Sequence, residues 1–174
     1  MSELRVGLGV DAHVFADGVP LVLGGVTIES PRGLAGHSDG DVIAHALIDA
    51  LLGAAGLGDI GSLFPPGEPE WEGTSSLDLL RRAVADVRKA RWELVNADCI
   101  LIGEEPRIAP LREQMRDRLA DAVGAAPERI NVRATTTDKL GFTGRGEGLA
   151  AEAVALLERP TVAGVRERQV TDCY

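Results

Sequence analysis

In the segment "LRVGLGVDAHVF" the apolar residues Leu4, Val6, Leu8 and Val10 alternate with other residues, the period of two that marks a β-strand. "PLVLGGVTI" carries two short strand-like pieces on either side of Gly24 and Gly25, which is a hairpin signal. Pro, Gly and Ser then crowd residues 30–40, "SPRGLAGHSDG", which reads as a loop. From about Asp41 the spacing changes. Ile43, Leu47, Leu51 and interleaved alanines recur every three to four residues, so a helix is expected, with Asp39 or Asp41 suited to its positive N-terminal end. "GLGDIGSLFPPGEPEWEG" is too rich in Gly and Pro for a regular element and is expected to be a long loop, a setting where functional residues concentrate.

Ser75 and Asp78 resemble a capping box that opens a helix over "LDLLRRAVADVRKA". "WELVNADCILIG" reads as a strand running into the loop "EEPRIAP". Pro110 then suits the first turn of the helix "LREQMRDRLADAV", which Gly124 ends. "RINVRATTT" is a further strand feeding the loop "DKLGFTGRGEG". "LAAEAVALL" fits a helix by its alanines and a closing strand by its position and small residues. This order predicts an α/β fold of the α+β type, a mixed β-sheet packed on helices in a single domain. The domain is expected over residues 1–159, with 160–174 a mobile tail.

A chain of 174 residues is long enough for one well-cored domain, and 45% hydrophobic against 26% charged residues with no long polar tract predicts that it folds. Aromatics make up only 3%, so the core must be built from Ala, Val, Leu and Ile. A net charge of −9 argues against a nucleic-acid partner, which needs a basic surface. An anionic ligand would therefore have to meet local positive groups: metals, a few Arg or Lys, and helix N-termini. The N-terminal residues lack a basic and apolar leader, and no apolar run approaches ~18 residues, so a soluble cytoplasmic protein with no membrane partner is expected. Cys99 is expected to be a buried thiol and Cys173 falls in the tail, which supports neither a disulfide framework nor a zinc finger.

All three histidines lie in two segments, "DAHVF" and "GHSDGDVIAHALIDALLG". Asp11 and His13, at i and i+2 on a strand, face the same way and can converge on one ion, with His45 on the following helix as a third ligand. Two imidazoles and a carboxylate suit Zn²⁺ with a fourth position open to water or substrate. The same residues also fit a plainer account, a hydrogen-bonded strand end and a partly buried helix histidine. "ATTTDKLGFTGRGEG" offers hydroxyls, freed backbone N–H groups, Lys139 and Arg145 to a diphosphate, and Asp138 to a Mg²⁺ bridging its oxygens. It contains no Walker loop, and a Gly-rich turn after a capped strand end accounts for the same composition. "HSDG" either presents N–H groups to an anion or simply caps the helix.

Together "DAHVF", "HSDGDVIAHALIDALLGAAGLGDIGSLFP", "PRIAPLREQM" and "INVRATTTDKLGFTGRGEGLAAEAVALL" resemble, in order over about residues 4–158, the 2-C-methyl-D-erythritol 2,4-cyclodiphosphate synthase family. The resemblance implies a lyase of the non-mevalonate isoprenoid pathway that works as a homotrimer with active sites between subunits. It implies 4-diphosphocytidyl-2-C-methyl-D-erythritol 2-phosphate as substrate, CMP as leaving group, one Zn²⁺ per active site, and Mg²⁺ or Mn²⁺ with the diphosphate. An isoprenoid diphosphate in a cavity on the trimer axis is a further implied ligand.

Carried onto this chain, the resemblance makes Asp11, His13 and His45 the zinc ligands, with Ala12 beside them. His37 and Ser38 match phosphate contacts, and His37 and Thr136 the groups that stabilise the transition state. Asp59, Ile60 and Gly61, with Phe64, Pro65, Pro66, Gly67 and Glu68, match the part that holds the methylerythritol. Gly103, Glu104, Glu105, Pro106, Arg107, Ile108 and Ala109 match a cytidine pocket. Thr135, Thr136, Thr137 and Asp138 match the diphosphate and Mg²⁺ segment, while Phe142 and Arg145 match further substrate-side positions and, with Glu147, the lining of the axial cavity. Three positions depart from the familiar pattern: Asp138 stands where Glu is common, Arg107 where Lys is common, and "FPPGEP" replaces "FPDTDP".

Overall fold

The computed structural model describes residues 2–160 except Pro66, Pro69 and Glu72. Among the described residues, seven strands run in chain order as β1 (Ser2–Asp17), β2 (Leu21–Leu23), β3 (Val26–Ile28), β4 (Arg32–Leu34), β5 (Glu93–Ile102), β6 (Ile130–Thr135) and β7 (Gly148–Pro160). Helices are α1 (Val42–Ala55), α2 (Ile60–Leu63), α3 (Ser76–Lys89), α4 (Arg112–Val123) and α5 (Gly141–Gly144). The five-stranded sheet has the order β4-β1-β7-β5-β6. Only β5 and β6 pair in parallel, so the sheet is mixed as expected, and β2–β3 form the hairpin around Gly24 and Gly25.

Some segments read as loops contain short regular elements. Within residues 30–40, β4 pairs with the far end of β1, Phe15 opposite Leu34. One-turn helices occupy Ile60–Leu63 and Gly141–Gly144, where too few residues repeat to leave a periodic signal. The undecided segment "LAAEAVALL" is strand: β7 lies between β1 and β5, and two strand partners outweigh the helix propensity of its alanines. Ser75 caps α3 by accepting from the Leu77 N–H, but Asp78 turns away to Arg81, so only half of the capping box forms. Residues 161–174, where the tail and Cys173 fall, lie outside the described residues.

The helices cover one face of the sheet. Helix α1 packs across β1, β5 and β7, with α3 against α1, and α4 against α3 and β6. The side of β1 that meets α1 is Gly7, Gly9, Asp11 and His13. A Cβ on Gly7 would lie 2.0 Å from the Ala50 carbonyl oxygen, and one on Gly9 1.9 Å from that of Ala46. Two glycines facing an alanine ridge therefore let the helix backbone come almost onto the strand. The alternating apolar residues face the other way: Leu4, Val6, Leu8, Val10 and Val14 are 56–69% exposed, with Val154 of β7 beside them. Cys99 is fully buried, and that burial pushes its thiol up to about 12, consistent with an inert core residue. No helix among the described residues is long and apolar enough to cross a membrane.

Candidate active site

Asp41 opens α1. It is fully buried and accepts from the N–H groups of Gly24, Gly25, Ile43 and Ala44, tying the β2–β3 hairpin to the helix N-terminus. This fixes the rotation of α1, so that His45, one turn on, faces β1. Its Nδ1 lies 3.0 Å from Asp11 Oδ2 and 3.2 Å from His13 Nε2, and His13 Nε2 is itself 3.0 Å from Asp11 Oδ2.

That triangle fits a metal. Ligands held tetrahedrally at about 2.0–2.1 Å from Zn²⁺ stand about 3.3 Å from one another, close to the observed edges. The far nitrogens are already engaged: His13 Nδ1 on the Ala35 carbonyl, and His45 Nε2 on the Ser76 hydroxyl at 2.9 Å and the Ser38 hydroxyl at 3.0 Å. With protons assigned to those outer nitrogens, three lone pairs face one another across about 3 Å and need a cation between them. Without a metal, a proton takes that place. The Asp11 hydrogen bond raises His13 above its ordinary value; in turn burial pushes Asp11 up, but hydrogen bonds from His13 and His45 outweigh it and hold the carboxyl low. Asp11 is thus an anionic ligand at neutral pH.

The triad lies in a cleft of about 340 Å³ that His37, Ser38, Ile60, Gly61, Phe64, Pro65, Gly67 and Glu68 also line. The structure therefore brings together the residues matched to zinc, phosphate and methylerythritol, save Pro66, which lies outside the described residues, and Asp59, whose carboxylate caps α2. His37 is exposed and free to meet a ligand. The wall also contains Trp71, its ring edge-on to Phe64 at 5.0 Å between centroids, and Leu79. Sequence reading missed Trp71, although a lone Trp in a Gly- and Pro-rich loop is a usable signal.

A second group of predicted residues lies elsewhere. The adjacent ends of parallel β5 and β6 carry Gly103–Ala109 and Thr135–Asp138, joined where Gly103 N–H donates to the Thr135 carbonyl at 3.0 Å. Glu104 accepts from the N–H groups of Thr137 and Lys139 at 3.3 and 3.0 Å. Those bonds hold Asp138 and Lys139 in left-handed backbone, φ 52° and 64°, a conformation costly for side-chain-bearing residues. Thr135, Thr136 and Asp138 are exposed, and Glu104, Glu105, Pro106 and Arg107 line a separate hollow with Arg32. Ile108 is buried, Ala109 begins a helical turn, and Phe142 is 42% exposed beside an Arg145–Glu147 ion pair of 2.7 Å.

Strand register gives the separation of the two groups. Ala12, Ala150, Ile102 and Thr135 form one row across four strands, three interstrand steps or about 14 Å. Asp11 and His13 flank Ala12 and so project from the opposite face of the sheet to Thr135. Within one chain the triad and the threonine segment do not face a common space.

A mixed sheet half-covered by helices, with a cluster of Asp11, His13 and His45 at the seam between strand and helix that could hold a metal ion, defines a small α+β protein with a candidate metal site. The chain belongs to the YgbB family, whose model matches residues 4–158. It is 55% identical over 163 residues to the 2-C-methyl-D-erythritol 2,4-cyclodiphosphate synthase of Moorella thermoacetica, covering 93% of this chain and 100% of that protein. Among solved structures it is similar to the bifunctional IspDF from Campylobacter jejuni, with TM-score 0.88 and 42% identity over 92% of this chain and 43% of that one. A CDP-bound 2C-methyl-D-erythritol-2,4-cyclodiphosphate synthase matches with TM-score 0.80 and 40% identity, covering 88% of this chain and 99% of that one.

Proposed function

We propose that the chain converts 4-diphosphocytidyl-2-C-methyl-D-erythritol 2-phosphate to 2-C-methyl-D-erythritol 2,4-cyclodiphosphate and CMP, as a phosphorus-oxygen lyase of the non-mevalonate isoprenoid pathway in the cytoplasm. The observation that carries this is the metal-fitted triad of Asp11, His13 and His45 in a cleft of a chain 55% identical to a synthase of that name. The 2-phosphate oxygen attacks the β-phosphorus; a new P–O bond closes the ring, and the bond to the α-phosphate oxygen breaks, leaving with CMP.

Asp11, His13 and His45 would hold Zn²⁺, and Asp138 a Mg²⁺ or Mn²⁺; bound there, such ions would supply Lewis-acid neutralisation of converging anions, worth several kcal/mol. His37 and Ser38, beside the triad, orient the phosphates, and His37 with Thr136 stabilises the transition state. Ile60, Gly61 and the loop Phe64–Glu68, placed by Asp59, fold the methylerythritol so that its own phosphate is the nucleophile. Such orientation reaches effective molarities of ~10⁵ M or more. The phosphate is already ionised, so no general base of special pKa is needed. Gly103–Ala109 receive the cytidine.

Because the two groups of residues are about 14 Å apart on opposite faces of one sheet, the reading requires a second chain to complete each site. The exposed stripe Leu4, Val6, Leu8 and Val10 supports a homotrimer packed around that face, with Phe142, Arg145 and Glu147 toward an axial cavity for an isoprenoid diphosphate. ³¹P NMR of the substrate with protein, Zn²⁺ and Mg²⁺ tests the reaction. Cyclic diphosphate and CMP appearing together is the expected result; phosphate release alone would replace a cyclase with a hydrolase.

A further inference from the structure

Asp39 lies two residues before the helix cap Asp41, and its Oδ1 accepts the Asp41 N–H at 3.3 Å, but the carboxylate also reaches α3. Oδ2 accepts the backbone N–H of Ser76 at 3.1 Å, and Oδ1 accepts the Ser76 hydroxyl proton in a short contact. Ser76 is fully buried, and its Oγ stands 2.9 Å from His45 Nε2, on the side of the ring away from Asp11 and His13. A serine hydroxyl has one proton. With that proton committed to Asp39, Oγ can only accept from the imidazole, so His45 must carry its proton on Nε2. Ser38 Oγ, 3.0 Å from the same nitrogen, has Ser76 Oγ at 3.3 Å to take its own proton, and with that proton placed there it is a second acceptor for Nε2. His45 Nδ1 is then left as a bare lone pair facing Asp11 and His13.

We propose that Asp39 and Ser76 are positioning residues, forming a carboxylate–hydroxyl relay that locks His45 in the tautomer able to bind the metal and fixes the plane of its ring. The relay rests on reading Asp11, His13 and His45 as a metal centre. It does for His45 what the Ala35 carbonyl does for His13, with the difference that the anchor is an anion one hydroxyl removed. Because Ser76 is the first residue of α3 and His45 belongs to α1, the relay also ties the metal centre to the packing of two helices.

Asp39→Asn is the informative change. An amide places an N–H donor where only acceptors stood, so the Ser76 proton can turn to His45 Nε2 and move the imidazole proton onto Nδ1, where it blocks the metal. Ser76→Ala removes the relay outright. For both variants we expect zinc affinity, measured by competition with a chromogenic chelator, to fall by about 10- to 100-fold, the usual cost of losing an outer-shell partner. Two-bond ¹H–¹⁵N correlation spectra of the zinc-loaded parent should show the His45 proton on Nε2, and those of metal-free Asp39→Asn a gain in the Nδ1–H form. Zinc affinity within about twofold of the parent in both folded variants, or a parent His45 protonated on Nδ1, overturns the relay. The parent spectrum decides alone if a variant fails to fold. A parent that binds no zinc overturns the metal-centre reading itself, and the relay with it.

Discussion

Gly9→Ala tests whether the approach of α1 to β1 builds the metal centre. The added Cβ would lie 1.9 Å from the Ala46 carbonyl oxygen, 2.6 Å from the Ala50 nitrogen and 2.9 Å from the Asp49 Cβ. Two of these atoms are helix backbone, so no change of rotamer relieves the clash. Restoring an ordinary 3.4 Å contact from 1.9 Å requires the helix to retreat by about 1.5 Å. His45 is on that helix one residue before Ala46, while Asp11 and His13 stay on the strand. A retreat of that size would open the 3.0 Å edges of the ligand triangle far beyond the ±0.2 Å tolerance of a zinc bond. Overpacking of this kind costs about 1–3 kcal/mol, so the Tm should fall by roughly 3–10 °C, with zinc affinity lower by at least about tenfold. The control is Gly53→Ala in α1, where the added Cβ meets nothing within 4 Å; it should stabilise by about 0.5–1 kcal/mol. Differential scanning calorimetry and zinc competition read both effects. A Gly9→Ala protein that melts and binds zinc like the parent would refute the argument.

His45→Ala should abolish turnover and lower bound zinc, whereas His37→Ala should slow turnover with zinc retained; metal analysis beside the ³¹P assay separates them, and zinc loss in the second would mean the roles are exchanged. Burial pushes Asp41 up to about 6 against the pull of the N–H groups it accepts from, with Asp39 adding repulsion. A raised folded value means that the stability from Asp41 is complete below its unfolded value near 4 and lost as pH rises through about 6. Asp41→Asn should flatten the urea-unfolding free energy across that window, and an unchanged slope would contradict the assignment. Leu8→Glu places a charge in the exposed apolar stripe, and light scattering in metal-replete buffer should show three-chain mass for the parent and one-chain mass for the variant.

The β1 alternation, the hairpin at Gly24 and Gly25, the helix opening near Asp41 and the terminator Gly124 were all legible, because each depends on a local period or a backbone conformation, while the choice of Asp41 over Asp39 as cap was not. Where the pattern was silent, the deciding contacts were distant in sequence. β4 exists because β1 extends far enough to pair with it, and β7 is a strand because β1 and β5 flank it. The apolar face of β1 could be read from the sequence, but not its direction: it faces outward, since glycines on the other face are what admits the helix.

The same division runs through the site. The pairing of Asp11 with His13 follows from strand geometry alone, and their residue types suit a metal set but fit a hydrogen-bonded strand end as well. Composition, too, argues against a nucleic-acid surface through the net charge of −9. Spacing alone does not separate His45 from His37; the resemblance does, and the tertiary structure turns His45 toward Asp11 and His13, while it alone places Asp39 and Ser76 behind it and puts the threonine segment on the other side of the sheet. The physical reason is range. Periods, caps and turns act over a few residues and are written locally, whereas a ligand triangle and its hydrogen-bonded backing require segments up to 65 positions apart, Asp11 to Ser76, to be held within about 3 Å contacts by packing between whole elements.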